Sequence, residues 1–155
     1  MKKIVLFLSL VIVLFAGDSC VKDAVCIDKT VQSEQAEIVS YAAANGINAT
    51  AHSSGLFYQI TNAGSGPSPM SGSKVFIKYT GKLLNGTIFD NQSAAPVSYG
   101  LNGMILGFQI GLPLIQKNGT IKLIIPSSLA YGCKGFGTVP GNSILYFEVE
   151  LTDVQ

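Results

Sequence analysis

Arginine is absent from the 155 residues, histidine occurs once, at His52, and cysteine three times, at Cys20, Cys26 and Cys133. Phosphates and nucleic acids are held by basic patches and by bidentate guanidinium contacts. Ten lysines against nine acidic residues give a net charge of +1, so neither device is available and nucleic acid is not an expected partner. One histidine and no Cys-x-x-Cys supply too few ligands for a zinc site and no base for a Cys/His nucleophile. A phosphate-cradling Gly-rich loop ending in Lys-Ser/Thr, a His-x-x-x-His pair and a Gly-x-Ser-x-Gly elbow are all missing. Asp90 is the only Asp between Asp28 and Glu148, which leaves paired-carboxylate glycosidase chemistry little support. No metal or cofactor is expected, and conventional acid–base or nucleophilic catalysis lacks its residues.

What is present begins with an address. Lys2 and Lys3 precede an uncharged, almost wholly apolar run over residues 4–16. That run is shorter than the ~20 residues of a transmembrane helix. It fits the h-region of a secretory signal, which takes roughly 7–15 residues. Gly17, Asp18, Ser19 and Cys20 follow, and a small residue before a Cys at this place resembles the lipobox of bacterial lipoproteins. Residues 1–19 are therefore expected as a signal peptide, with Cys20 as the lipid-bearing first residue and a membrane as partner through that anchor. A soluble secreted protein cut near the same point and an uncleaved anchor are the alternatives. Cys26 and Cys133 remain; an exported chain can hold disulfides, but count and spacing name no pair.

Residues 20–30 are mixed in composition and read as a tether. Residues 31–54 read as a helix and its connection: Ile38, Val39 and Ala42 group at helical spacing with Val31 one heptad earlier, and Gly46 is the stop. Packing of this helix on its own domain is the default expectation. Residues 55–155 carry strand signals at 56–61, 74–83, 96–101, 120–125 and 144–152, each alternating between two faces. The Gly/Ser/Pro-rich stretch 64–73 reads as a long turn inside one domain. Residues 107–117 read as a short helix, tolerating Pro113 only near a helix start, where N–H groups lack partners anyway. The class is α+β: a mainly antiparallel sheet with one short helix, and an extra helix before it.

Aromatic and aliphatic residues gather beside the turns: Tyr79, Phe89 with Asp90, Ile105, Phe108, Tyr131 and Phe147. Spacing alone reads them as the core of a sheet. Their order carries more. Val75-x-Ile77-x-Tyr79-Thr80-Gly81-x-Leu83 is followed by Gly86 and Phe89-Asp90. Met104-Ile105-x-Gly107-Phe108 comes next, then Leu123-x-Ile125-Pro126 and Leu129-Ala130-Tyr131-Gly132. Val139-Pro140-x-Asn142-x-x-Leu145-x-Phe147-x-Val149 closes the series. From Gly55 to the end the chain resembles the FKBP family of peptidyl-prolyl cis–trans isomerases, with six such motifs in family order.

The resemblance implies an FKBP-like antiparallel sheet wrapped around a short helix, and rotation about Xaa-Pro bonds as the activity. It implies Tyr79, Phe89, Asp90, Ile105, Phe108, Tyr131 and Phe147 as catalytic residues, with Val97, Met104 and Val139 as further substrate-binding walls. In the family the residue at Phe108 is a Trp forming the pocket floor. The residue at Ile105 offers its backbone N–H, and that at Tyr131 its hydroxyl, to ligand carbonyls. Val97 stands in place of an aromatic wall, and Gly141 in place of a second Pro after Pro140. The implied partners are proline-containing unfolded or partly folded proteins in the cell envelope, and macrolide ligands. A catalytically weak binding module or chaperone of the same fold is the alternative.

Overall fold

The computed structural model describes residues 25–155. The lipidation candidate Cys20 and the expected signal peptide lie outside them. Helix α1, Val31–Ala44, starts where Thr30 Oγ1 accepts from the Ser33 N–H at 3.2 Å. It stops at Asn45, and Gly46 turns the chain away with φ +62°.

Seven strands follow: β1, Thr50–Ala51; β2, Phe57–Asn62; β3, Lys74–Leu83; β4, Ile88–Asn91; β5, Val97–Gly100; β6, Gly119–Ile125; and β7, Leu145–Val154. They form one antiparallel sheet in the order β1-β2-β6-β7-β3-β4, with β5 also paired to β3. β3 and β7 lie side by side along their whole lengths, from Val75 opposite Val154 to Leu83 opposite Leu145. Helix α2, Leu106–Gly111, sits on the sheet and runs into a 3-10 turn, Leu112–Leu114. Pro113 falls in that turn, at the end of α2 and near the start of the tighter helix, where its missing N–H breaks no α-helical bond.

Alternation along the strands builds two cores. On the α2 side, Val75, Ile77 and Tyr79 of β3 meet Ile121, Leu123 and Ile125 of β6 and Leu145, Phe147, Val149 and Leu151 of β7, around Phe108 and Leu112. Two glycines let α2 lie this close. A Cβ at Gly107 would stand 2.5 Å from Ile125 Cγ2, and one at Gly111 would stand 2.7 Å from Leu123 Cδ2. On the opposite face, Ile38 and Ala42 of α1, with Ile47, pack on Phe57, Ile124, Ile144 and Tyr146. The end of β6 is therefore buried on both faces, which explains its unbroken Leu-Ile-Ile run.

Five elements differ from the sequence expectation, the first being the short helix expected over 107–117, which is α-helical only over Leu106–Gly111 and tightens to 3-10 at Leu112–Leu114. The inward face of α1 is Glu34, Ile38 and Ala42, an i, i+4, i+8 row, and Val39 is half exposed. Strands β1 and β4 were not expected; the first is two residues long and the second keeps Ile88 exposed. The expected tether is docked over residues 26–29. Cys26 forms a disulfide with Cys133 (Cα–Cα 5.5 Å), a pairing that the spacing left open. Asp28 Oδ1 accepts from the Cys133 N–H at 2.7 Å, and the Asn142 side-chain amide bonds both to the Lys29 N–H and to the Ile27 carbonyl.

Candidate functional site

A cleft of about 400 Å³ opens between the N-terminus of α2, the outer strands β3 to β5 and the loop that follows β6. Its innermost rings are Phe108 and Phe147, each 3% exposed, with centroids 4.8 Å apart and planes at 79°. Tyr79 meets both edge-on, at 6.2 Å and 6.0 Å. Such T-shaped contacts place the positive edge of one ring against the negative face of the next. Phe89 backs Phe147 at 5.5 Å and 90°. The two rings crowd Gly81, where a Cβ would stand 2.7 Å from Phe147 and 2.8 Å from Phe89.

The polar groups sit on one wall. The Tyr79 hydroxyl donates to Asp90 Oδ2 at 2.7 Å and lies 3.3 Å from the Tyr99 hydroxyl. Burial pushes the Tyr79 phenol well above the ordinary tyrosine range, and its bonds to Tyr99 and Asp90 add to the effect. Tyr131 is raised too, first by burial and then by the nearby Asp90 and Tyr99. Both phenols therefore stay neutral donors at ordinary pH. The opposite wall is Met104 and Ile105, which lead into α2. Ile105 is the N-cap of that helix, where backbone N–H groups have no intrahelical acceptor. Gln109 Nε2 donates to the Met104 carbonyl at 2.7 Å and so fixes the approach to the helix. At the mouth, Tyr131 stacks on Phe136 with centroids 5.2 Å apart and planes at 20°.

Seven of the ten residues singled out in the sequence thus line the cleft: Tyr79, Asp90, Met104, Ile105, Phe108, Tyr131 and Phe147. Phe89, Val97 and Val139 pack in the apolar cluster around it, Phe89 and Val97 partly exposed and Val139 buried. Tyr99, Gly103 and Phe136 line it without having been singled out. Tyr99 had a signal, since it follows Val97 by two residues and shares its face of β5. Phe136 had none beyond its place in a loop. A second depression of about 420 Å³ lies across β3, β6 and β7; its lining is mostly polar and charged, with Lys78 3.8 Å from Glu150.

A family model described as FKBP-type peptidyl-prolyl cis-trans isomerase matches residues 66–152. The chain belongs to the FKBP-type peptidyl-prolyl cis–trans isomerase family. Among curated FKBP relatives, FkpA of Escherichia coli (strain K12) is 46% identical over 105 residues, which is 66% of this chain and 39% of the relative. FkpA of Buchnera aphidicola subsp. Acyrthosiphon pisum is 45% identical over 104 residues, 66% of this chain and 43% of the relative. The chain thus spans about two fifths of the length of these relatives. The crystal structure of E. coli FkpA superposes with a TM-score of 0.68 at 38% identity, covering 80% of this chain and 64% of that one. A peptidyl-prolyl cis-trans isomerase crystal structure from Pseudomonas syringae pv. tomato gives 0.68 at 28% identity, covering 83% and 98%. The antiparallel FKBP sheet over a short helix, with a helix before it, is the architecture expected from the motifs.

Proposed function

We propose that this protein is a peptidyl-prolyl cis–trans isomerase that turns Xaa-Pro bonds in exported proteins and so assists their folding. The observation that carries the reading is an apolar aromatic cleft whose wall holds neutral hydroxyl donors. The barrier to rotation comes from amide resonance and is ~18–20 kcal/mol. Water stabilises the planar, polar amide. In a cleft floored by Phe108 and Phe147 the planar form loses that advantage over the twisted one. The proline ring is held between aromatic walls while the preceding carbonyl turns. The Ile105 N–H and the Tyr131 hydroxyl are the donors for the flanking carbonyls, and Asp90 orders Tyr79. Favouring the twisted form over the planar one is catalysis by differential binding. An acceleration of ~10⁵ needs only about 7 kcal/mol, supplied without a nucleophile or a metal.

Export through the segment 1–19, with Cys20 carrying the lipid in the cell envelope, belongs to the same reading. The disulfide Cys26–Cys133 supports an oxidising compartment. A single acyl chain anchors only marginally, so Cys20 would carry the several chains typical of bacterial lipoproteins. Intact mass of the membrane-extracted protein tests this, and a cleaved N-terminus without lipid refutes it. The isomerase domain in this reading is residues 55–155, and macrolides compete with proline peptides for the cleft.

A second reading, a binding module or chaperone with weak turnover, is favoured by Phe108, a smaller ring than the family's Trp at the floor. A protease-coupled assay on proline peptides, with several residues before proline, separates the two. Turnover well above the uncatalysed rate establishes the isomerase; peptide binding without turnover establishes the module.

A further inference from the structure

The mouth of the cleft is carried by one loop, residues 127–142, between β6 and β7. It supplies Tyr131 and Phe136. Phe136 is 69% exposed, so burial does not hold its ring. Leu129, Ala130 and Val139 seat the loop on the core, and the segment that precedes and begins α1 holds it at three further places.

At the loop's start, Glu34 Oε2 accepts from the Ser127 N–H at 2.8 Å. Glu34 is 1% exposed and Ser127 fully buried. A carboxylate on the inward face of a helix is costly unless charged or polar partners meet it, and Lys29 Nζ stands 4.0 Å from its other oxygen. At the middle, Cys133 is bonded to Cys26 and its N–H donates to Asp28. At the end, Asn142 Oδ1 accepts from the Lys29 N–H and Nδ2 donates to the Ile27 carbonyl, both at 3.2 Å.

The residue types in the loop suit both this docking and the loop's own close packing. Gly132 has φ +58°, and a Cβ there would stand 2.5 Å from Asp28 Oδ1. A side chain at Gly141 would run into the Cys133 carbonyl, which accounts for glycine where the family pattern has a second Pro. Asn142 takes the left-handed conformation, φ 57°, and donates its N–H to the Gly132 carbonyl at 2.7 Å.

We infer that residues 26–34 clamp the cleft mouth, with Asp28 and Glu34 as positioning residues that hold Tyr131 and Phe136 in place for a proline-containing segment. The identity of that occupant rests on the isomerase reading. The test uses the full chain as wild type and as Asp28→Ala, Glu34→Ala and Glu34→Gln. Four quantities are read: amide exchange over residues 131–142, the Tyr131–Phe136 ring contact by nuclear magnetic resonance, the Kd of a proline tetrapeptide, and kcat against KM.

Loss of a charge-assisted hydrogen bond should speed Cys133 amide exchange about tenfold or more in Asp28→Ala, and raise Kd and KM about tenfold, with kcat within about twofold. Glu34→Ala should act likewise through Ser127, and Glu34→Gln, which keeps an acceptor oxygen, should restore most of the affinity. If Glu34→Ala fails to fold, Asp28→Ala decides alone, since Asp28 is exposed. Unchanged exchange and ring contact in folded Asp28→Ala overturn the clamp. So does faster exchange with unchanged Kd, which would make the docking structural only. A wild type that binds the peptide without turnover sinks the isomerase reading, and Kd and exchange still judge the clamp. A wild type that does not bind the peptide overturns both.

Discussion

Asp90 pairs with Gly81 across strands β3 and β4, yet its carboxylate reaches along the sheet to accept the Tyr79 hydroxyl at 2.7 Å. One side chain thus fixes the outer strand and orients a phenol on the cleft wall. Asp90→Asn keeps the shape and an acceptor but removes the charge. A charged acceptor is worth about 1 kcal/mol more than a neutral one, so kcat/KM should fall roughly fivefold. The thermal midpoint, measured beside it, should fall by only about 2–6 °C, which leaves the protein folded in the assay. Unaltered kcat/KM would reduce Asp90 to a residue of the turn after Phe89.

Alkaline titration checks the hydroxyl wall. Tyr79 is raised above its ordinary value chiefly by burial, then by its bonds to Tyr99 and Asp90. Below the unfolded tyrosine pKa of ~10 both states hold the proton and this group gives stability no pH slope. Above it the unfolded chain releases the proton and the folded chain keeps it, so stability falls as pH rises. Denaturant midpoints should therefore decline from about pH 10 upward, less steeply in Tyr79→Phe. A profile identical in the two proteins would contradict the buried neutral phenol.

Phe108 should accept Trp and not Ala. The ring is 3% exposed and packs 4.8 Å from Phe147. Truncation to Ala should cost ~3–5 kcal/mol of stability and empty the cleft floor. Turnover in a Phe108→Ala protein that circular dichroism reports as folded decides the matter: normal kcat/KM there would remove Phe108 from the site.

Tyr131→Phe deletes one hydroxyl and leaves the stack on Phe136 intact. Peptide affinity should weaken by roughly 0.5–1.5 kcal/mol, up to about tenfold, without a shift in the thermal midpoint. Titration of the variant with a proline peptide measures this, and equal affinity would assign the carbonyl to another donor.

Much of this was legible beforehand because period-2 alternation and motif order act together. β3 was bounded to the residue, and Phe108, Tyr131 and Asp90 followed from the motifs around them. What escaped has physical reasons. β4 has four residues and an exposed Ile88, so no alternation marks it. Phe89, Val97 and Val139 occupy cleft positions in the family pattern, and here all three belong to the apolar cluster that backs the cleft. Nothing around Glu34 in the sequence marks it for burial; its acceptor role requires Ser127, 93 residues away. The disulfide was likewise hidden by a separation of 107 residues.

That separation bears on the unfolded chain as well as the folded one. With Cys26 and Cys133 joined, denaturation yields a closed ring that includes α1 and strands β1 to β6, not an open coil. Closing a ring of this size removes unfolded-state freedom worth about 4.7 kcal/mol at 25 °C. This is comparable with the whole stability of a small domain, ~5–15 kcal/mol. The same amino-acid sequence is accordingly two proteins of different endurance, and the redox state of its surroundings selects between them.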